Sequence, residues 1–326
     1  MTKLTRRAAL ALPAAPALIP AARAQGGWQP QRPITVIVPN PPGGGTDFAA
    51  RLFADGLSAA LGVPVAIDNR GGANGNIGIM AAVRAPADGH TLLLQYSGYH
   101  AGNPAMMANL QWDPLRDLVP VGMGTLAPHG IFVGPQVPAN TLAEFVAWAR
   151  ERPGRLNYAS SGTGSIQHVA GVLFSRAIGV EMTHVPYRGA APALQDVAGG
   201  RVELFITTPS SAIALVQGNR IKALAMASAR RARALPEVPT TAEAGLPGFT
   251  LDAWFAFFAP SGIPQAARER LNAELRRLAQ DPSMIARAEA GGAALQPMTL
   301  AELDALARRE VEELGAVIRQ AGITID

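Results

Sequence analysis

The chain has 326 residues, 48% of them hydrophobic and 16% charged, enough apolar content for a sizeable core and enough length for two domains of about 150 residues. It contains no cysteine, which excludes disulfides, thiol catalysis, cysteine-ligated metal and a lipid-modified N-terminal cysteine. Four of the 28 basic residues and none of the 24 acidic ones fall in residues 1–24, leaving 24 basic against 24 acidic groups in the remainder. That zero net charge removes the electrostatic reason to expect nucleic acid or an anionic membrane as partner.

The N-terminus is a unit of its own. Lys3, Arg6 and Arg7 lead into an Ala/Leu/Pro run that ends in Ala22-Arg23-Ala24 before Gln25. This is the pattern of a secretory signal peptide (1–24) cleaved after Ala24, and it predicts a mature protein in the periplasm. Arg6-Arg7 leaves both the Sec and the twin-arginine route open. No later window has roughly 18 uninterrupted apolar residues, the length a spanning helix needs.

From residue 34 on, short β-branched runs alternate with helical patterns. Candidate strands are "ITVIVP", "VPVAIDN", "TLLLQYS", "GIFVGP", "LNYASS", "MTHVPY", "VELFIT", "IKALAMA" and "LDAWFAFFAP". Helical spacing predicts helices over 47–61, 142–150, 165–178 and 190–198, with a further helical run after "NRGGANGNIG". In the first of these, Ala49, Leu52, Phe53, Leu57, Ala60 and Leu61 form one apolar stripe. The last 60-odd residues predict two charged amphipathic helices, "PQAARERLNAELRRLAQDPSMIARAEAGG" and "TLAELDALARREVEELGAVIRQAG", with Pro264 and Pro282 at helix starts. Strand–helix alternation of this kind predicts an α/β protein with mostly parallel sheet.

Three turns share one design: "PPGGGTD" before residue 47, "NRGGANGNIG" over 69–78, and "SSGTGSIQH" over 160–168. Each puts glycines and small polar residues at the C-terminal end of a strand and the start of a helix, the edge where open α/β sheets bind ligands. Free N–H groups and the positive end of the helix dipole suit that edge to a small anion. A strand-to-helix turn can also be architecture alone, and Asp47 fits an N-cap or an i,i+4 partner of Arg51 as well as a ligand contact. Nucleotide sites are absent on detail: there is no G-x-x-x-x-G-K-[ST], and "GGANGNIG" lacks G-x-G-x-x-G spacing. Ser165 lacks the glycine of a nucleophile elbow, and a Ser165–His168 pair reads as a capping turn. The five histidines lack metal-ligand spacing. No catalytic residue, metal site or cofactor is expected.

Together the landmarks "PNPPGGGTDFAARL", "DNRGGANGNIG", "APADGHTLLL", "LNYASSGTGSIQHVAG", "THVPYRGAAPALQDVAGGRVEL", "IKALAMAS", "LPEVPTTAEAGLPGF" and "APSGIP" occur in the order of a known family. The chain resembles the substrate-binding proteins of tripartite tricarboxylate transporters, the Bug receptors, along nearly its whole mature length. The resemblance implies a two-lobe periplasmic binding protein of type II (Venus flytrap), each lobe a mostly parallel sheet flanked by helices. Lobe 1 would comprise 25–127 plus 252–326, and lobe 2 residues 128–251, closing over a small organic carboxylate for delivery to the permease subunits in the membrane. A monomer is expected. Carried over by motif, lobe 1 offers Gly43, Gly44, Thr46, Asp47, Gly72, Ala73, Gly75 and Ser97. Lobe 2 offers Ser160, Ser161, Thr163, Gly164, Ser165, Tyr187, Arg188, Gly189 and Thr207.

The sequence departs from the family pattern at several points. Asn40 stands where an aromatic often precedes the turn, Gly45 replaces a frequent proline, and Asn74 interrupts the usual Gly-Ala-Gly-Gly. Thr207-Thr208 occupy a place where Asp is common, which implies a neutral site, and Arg188 replaces a more usual Lys. Trp112, Trp148 and the run Trp254 to Phe258 read as core, with Trp254 on a crossing between lobes. A sensory receptor with the same fold and an exported hydrolase using Ser165 and His168 are the competing functions.

Overall fold

The computed structural model describes residues 27–325; the signal segment expected over 1–24 lies outside the described residues. One sheet, in the order β2-β1-β3-β9-β4-β7-β5-β6, runs through the molecule, with β8 paired to β4 off this path. In the first half, β1 (Ile34–Val38) pairs in parallel with β2 (Val65–Asn69) and with β3 (Thr91–Tyr96). In the second, β5 (Leu156–Ser160) pairs in parallel with β6 (Met182–Pro186) and with β7 (Leu204–Thr207). Two strands join these parallel triplets: β4 (Leu118–Val133) and β9 (Asp252–Pro260), antiparallel to each other and to their other neighbours. β8 (Lys222–Ala227) is likewise antiparallel to β4. The sheet is therefore mixed, parallel at each end and antiparallel where it passes between halves.

All nine expected strands form. The difference is at β4, where sequence pointed only to "GIFVGP" and the strand starts twelve residues earlier, at Leu118 rather than Gly130. Pro120, Gly122, Gly124 and Pro128 hide that part, because proline and glycine interrupt a strand pattern. The pairing with β9 absorbs them in two register shifts, between Pro120 and Gly122 and between Met123 and Thr125. β4 pairs with β9 as far as Pro128 and with β7 and β8 from His129 on. The return crossing meets it there, since Leu251 O accepts from His129 N–H at 2.9 Å. β9 is apolar almost throughout because both its faces are covered: from Ala253 to Pro260 every residue is buried.

The helices follow their apolar stripes. α1 (Gly45–Leu61) buries Ala49, Leu52, Phe53, Leu57 and Leu61, and ends at Gly62, whose left-handed φ of 72° lets its N–H reach Ser58 O. α2 (Asn76–Val83) follows the second turn, and α4 (Leu142–Arg150), α5 (Ile166–Ile178) and α6 (Ala190–Ala198) lie within a residue of their expected bounds. α3 (Ser97–Met106) and α7 (Pro209–Gln217) were not expected. The polar, Pro-containing "SGYHAGNPAM" carries no stripe because nearly all of it is buried. The C-terminal region holds three helices rather than two. α8 (Gln265–Leu278) stops before Asp281, which caps α9 (Pro282–Ala290) by accepting the N–H groups of Ser283 and Met284. The long α10 (Leu300–Ala321) closes the fold. A large apolar core runs through both halves, and a smaller cluster around Phe132, Leu194, Phe205 and Met226 sits in the second.

Candidate functional site

The first glycine turn is held by Asp47. Its carboxylate accepts from Gly43 N–H at 3.1 Å, from Asn69 Nδ2 at 3.0 Å and from Arg51 Nε at 3.0 Å, and it is almost fully buried. Burial pushes this carboxyl up, but Arg51, the Gly43 N–H and Asn69 together outweigh it and hold it below the usual carboxylate range. Asp47 is thus the i,i+4 partner of Arg51; the N-cap of α1 is Gly44. With the carboxylate spoken for, the turn presents the first N–H groups of α1, which have no acceptor within the helix.

The second turn is a run of left-handed residues, Ala73 (φ 47°), Asn74 (φ 53°) and Gly75 (φ 81°). A glycine is needed at 75, where a Cβ would fall 2.5 Å from Tyr99 Cε2. Asn74, the interruption in the family pattern, bridges the halves: its Nδ2 donates to Asn103 Oδ1 at 2.7 Å and to Gly164 O at 3.2 Å. Asn103 Nδ2 returns to Asn74 O at 3.0 Å. Gly164 also meets the side chain of Ile325, so the C-terminal segment reaches the same junction.

In the third turn the serines serve the loop. Ser165 caps α5, accepting from His168 N–H at 3.3 Å, while His168 Nδ1 accepts the Gly164 N–H at 3.1 Å. His168 Nδ1 is thus taken by a backbone N–H, and Ser165 Oγ by the backbone N–H of His168. Ser160 is fully buried and its Oγ lies 2.6 Å from His184 Nε2. His168 and His184 stack at 3.9 Å between ring centroids, and Tyr158 stacks on His184 at 5.2 Å. Burial holds His168 below its ordinary value; burial and the neighbouring His168 bring His184 down to about 4, so both rings are neutral at pH 7.

Two adjoining spaces lie between the halves. The inner one is a cavity of about 30 Å³ lined by Asn40, Pro41, Gly44, Gly45, Thr46, Tyr96, Ser161, Gln167, Gly189, Ala190, Thr208, Ser211 and Phe255. Four helices start at this lining: α1 after Gly44, α5 just before Gln167, α6 after Gly189 and α7 after Thr208. No Lys, Arg, Asp or Glu lines it among the described residues. Four helix N-termini around a space without charged side chains give it a positive potential. Tyr96 and Phe255 form its aromatic wall, stacked at 5.1 Å and 10°. The outer space, a cleft of about 620 Å³, shares Asn40, Pro41, Ser161 and Gly189 with the cavity and adds residues of the second and third turns, with Tyr187 and Arg188.

Of the residues singled out in the sequence, Gly44, Thr46, Ser161 and Gly189 line the cavity, and Gly72, Ala73, Gly75, Thr163, Tyr187 and Arg188 line the cleft with Ser161 and Gly189. Tyr187 donates its hydroxyl to Asp196 at 2.9 Å, and burial together with that carboxylate pushes the phenol up to about 12. Gly43, Asp47, Ser97, Ser160, Gly164, Ser165 and Thr207 line neither space. Ser97 Oγ accepts from the Trp254 N–H at 3.4 Å, and Thr207 is buried one residue before Thr208, which does face the cavity. Sequence reasoning missed Tyr96, Gln167, Ser211 and Phe255. Three of these stand beside a residue it did single out or discuss (Ser97, Ser165–His168, Trp254), but only the strand pairing shows which way each side chain points.

A two-sided cleft between halves joined by two strands, with helix N-termini at its walls, fits the class of a solute-binding protein. The family model for the tripartite tricarboxylate transporter family receptor matches residues 49–323, and the chain belongs to that family. BugT of Bordetella pertussis is 34% identical over 294 residues, 90% of this chain and 90% of that protein. The structure of R. palustris Rpa4515 with adipate superimposes with a TM-score of 0.88 at 35% identity, covering 90% of this chain and 99% of the other. MatC (Rpa3494) from Rhodopseudomonas palustris with bound malate gives 0.83 at 33% identity, covering 89% and 99%.

Proposed function

We propose that this receptor captures a small organic carboxylate between two lobes, 25–127 plus 252–326 and 128–251, in the periplasm, and hands it to the permease subunits of a tripartite tricarboxylate-type transporter. The convergence of four helix N-termini on one cavity without charged side chains carries this reading. A carboxylate there gains hydrogen bonds from first-turn N–H groups and from the hydroxyls of Thr46 and Ser211. The cavity of about 30 Å³ has room for one end of a ligand, and the remainder would extend past Asn40 and Gly189 into the cleft, where Arg188 is the charged side chain. The adipate and malate held by two relatives accord with such a two-ended ligand. Thr207 and Thr208 leave no carboxylate to hold an amino group, so amino acids are disfavoured. Because the ligand touches both lobes, it favours the closed state by its differential affinity for it.

The test is a thermal-shift screen of residues 25–326, unfolded and refolded to strip co-purified solute, against mono-, di- and tricarboxylates and amino acids. A carboxylate at 100 times its Kd stabilises by about 2.7 kcal/mol and raises Tm by several degrees. Shifts with amino acids and none with carboxylates would refute the assignment. Turnover of an ester substrate that is lost in Ser165→Ala would replace it with hydrolysis.

A further inference from the structure

Asn40 follows β1 and precedes the first glycine turn, and it lines both the inner cavity and the outer cleft. Its backbone carbonyl accepts from Asn69 Nδ2 at 3.1 Å, and its Nδ2 donates to Tyr99 Oη at 2.7 Å. Tyr99 is in turn buried and set edge-on against Tyr96, with ring centroids 5.4 Å apart. The carboxamide is therefore held at one end. At the other, Oδ1 is sealed from bulk water and accepts no hydrogen bond from any described residue.

A buried amide oxygen without a donor is costly, and the cost is recovered when a donor arrives. Two neighbouring pairs are engaged with each other: Gln167 Oε1 accepts from Ser161 Oγ at 2.8 Å, and Thr208 Oγ1 lies 3.1 Å from Ser210 Oγ. A ligand that carries a donor can supply what Asn40 Oδ1 lacks. A carboxylate oxygen cannot supply it, because it only accepts. A hydroxyl can.

We propose that Asn40 is a specificity-determining residue whose Oδ1 selects carboxylates bearing a hydroxyl on the segment that passes from the cavity into the cleft. This rests on the carboxylate reading above and narrows it to hydroxy acids. A methylene in the same place leaves Oδ1 unpaired, and a ketone sets a second acceptor against it.

The experiment is isothermal titration of refolded 25–326 with sets of dicarboxylates that share a skeleton and differ at one carbon: methylene, hydroxymethylene or carbonyl. Succinate, malate and oxaloacetate make one set, and the corresponding six-carbon acids another. In at least one set the hydroxy acid should bind roughly tenfold tighter than the methylene compound, about what one neutral hydrogen bond supplies, and the keto acid should gain nothing. In Asn40→Ala that ratio should fall to near one. Tyr99→Phe, which releases Nδ2 at the cost of one hydroxyl in the cleft lining, should shrink the ratio and decides the matter if Asn40→Ala does not fold. Equal binding of hydroxy and methylene acids, a keto acid as tight as its hydroxy partner, or a ratio unchanged in the variants overturns the role of Asn40 alone. Failure of every carboxylate to bind a cooperatively folded protein overturns the underlying reading, and this one with it.

Discussion

Asp47 shows how a single residue can shape a cavity wall without facing the cavity. Its carboxylate draws together the Gly43 N–H, Asn69 and Arg51, fixing the turn whose other N–H groups line the cavity. Removing that charge strands buried donors, so Asp47→Ala should lose about 2 kcal/mol at pH 7 in urea unfolding. The sign with pH follows from a folded-state pKa held below the ordinary 3.8. The stabilisation is complete above that value and is lost as pH falls through the lower folded value, so the gap between Asp47→Ala and the parent protein should close there. A gap constant with pH would mean that packing, and not charge, holds the turn.

At the scale of elements, α5 and β6 carry an acid-sensitive pair. His184 is brought down to about 4 by burial and by His168, and burial lowers His168 itself from the ordinary 6.5. The unfolded chain binds more protons than the folded one across that interval. Stability is thus complete above pH 6.5 and declines as pH falls towards about 4. His184→Gln, which keeps a polar partner for Ser160 but does not titrate, should flatten the decline measured by urea melts at stepped pH; an unchanged slope would assign it elsewhere. α10 offers a plainer case. Thr299 and Glu302 form a capping box at its start, and Thr299→Ala should cost about 1 kcal/mol, read as a lowered Tm with ligand binding unaltered. The strands and most helices were legible because β-branched runs and apolar stripes are local signals. The first part of β4 was not, since its prolines and glycines make sense only against the two register shifts with β9. α3 was hidden for the converse reason: being buried nearly all round, it shows no stripe.

For the whole molecule, the glycine turns pointed to a small-anion site, and the ordered motifs around them named the family. The floor of that site was not legible. Tyr96 comes from β3 and Phe255 from β9, and only the pairing of those strands, Tyr96 opposite Phe255, stacks their rings beneath the start of α1. The central claim is that a carboxylate is held where the two halves meet at the helix N-termini. Gly45 is the point at which to test it, because a Cβ there would lie 2.8 Å from Phe255 Cζ and 2.8 Å from Thr208 Oγ1, wedging the halves apart and occupying the cavity. The decisive measurement is a calorimetric titration of the refolded protein and of Gly45→Val with the carboxylate that gives the largest thermal shift. One-to-one binding in the parent, weakened at least a hundredfold in a Gly45→Val protein that still melts cooperatively, is the predicted result; a loss near 3 kcal/mol is what exclusion from the site entails. Binding that survives Gly45→Val unchanged would place the carboxylate elsewhere and contradict the account.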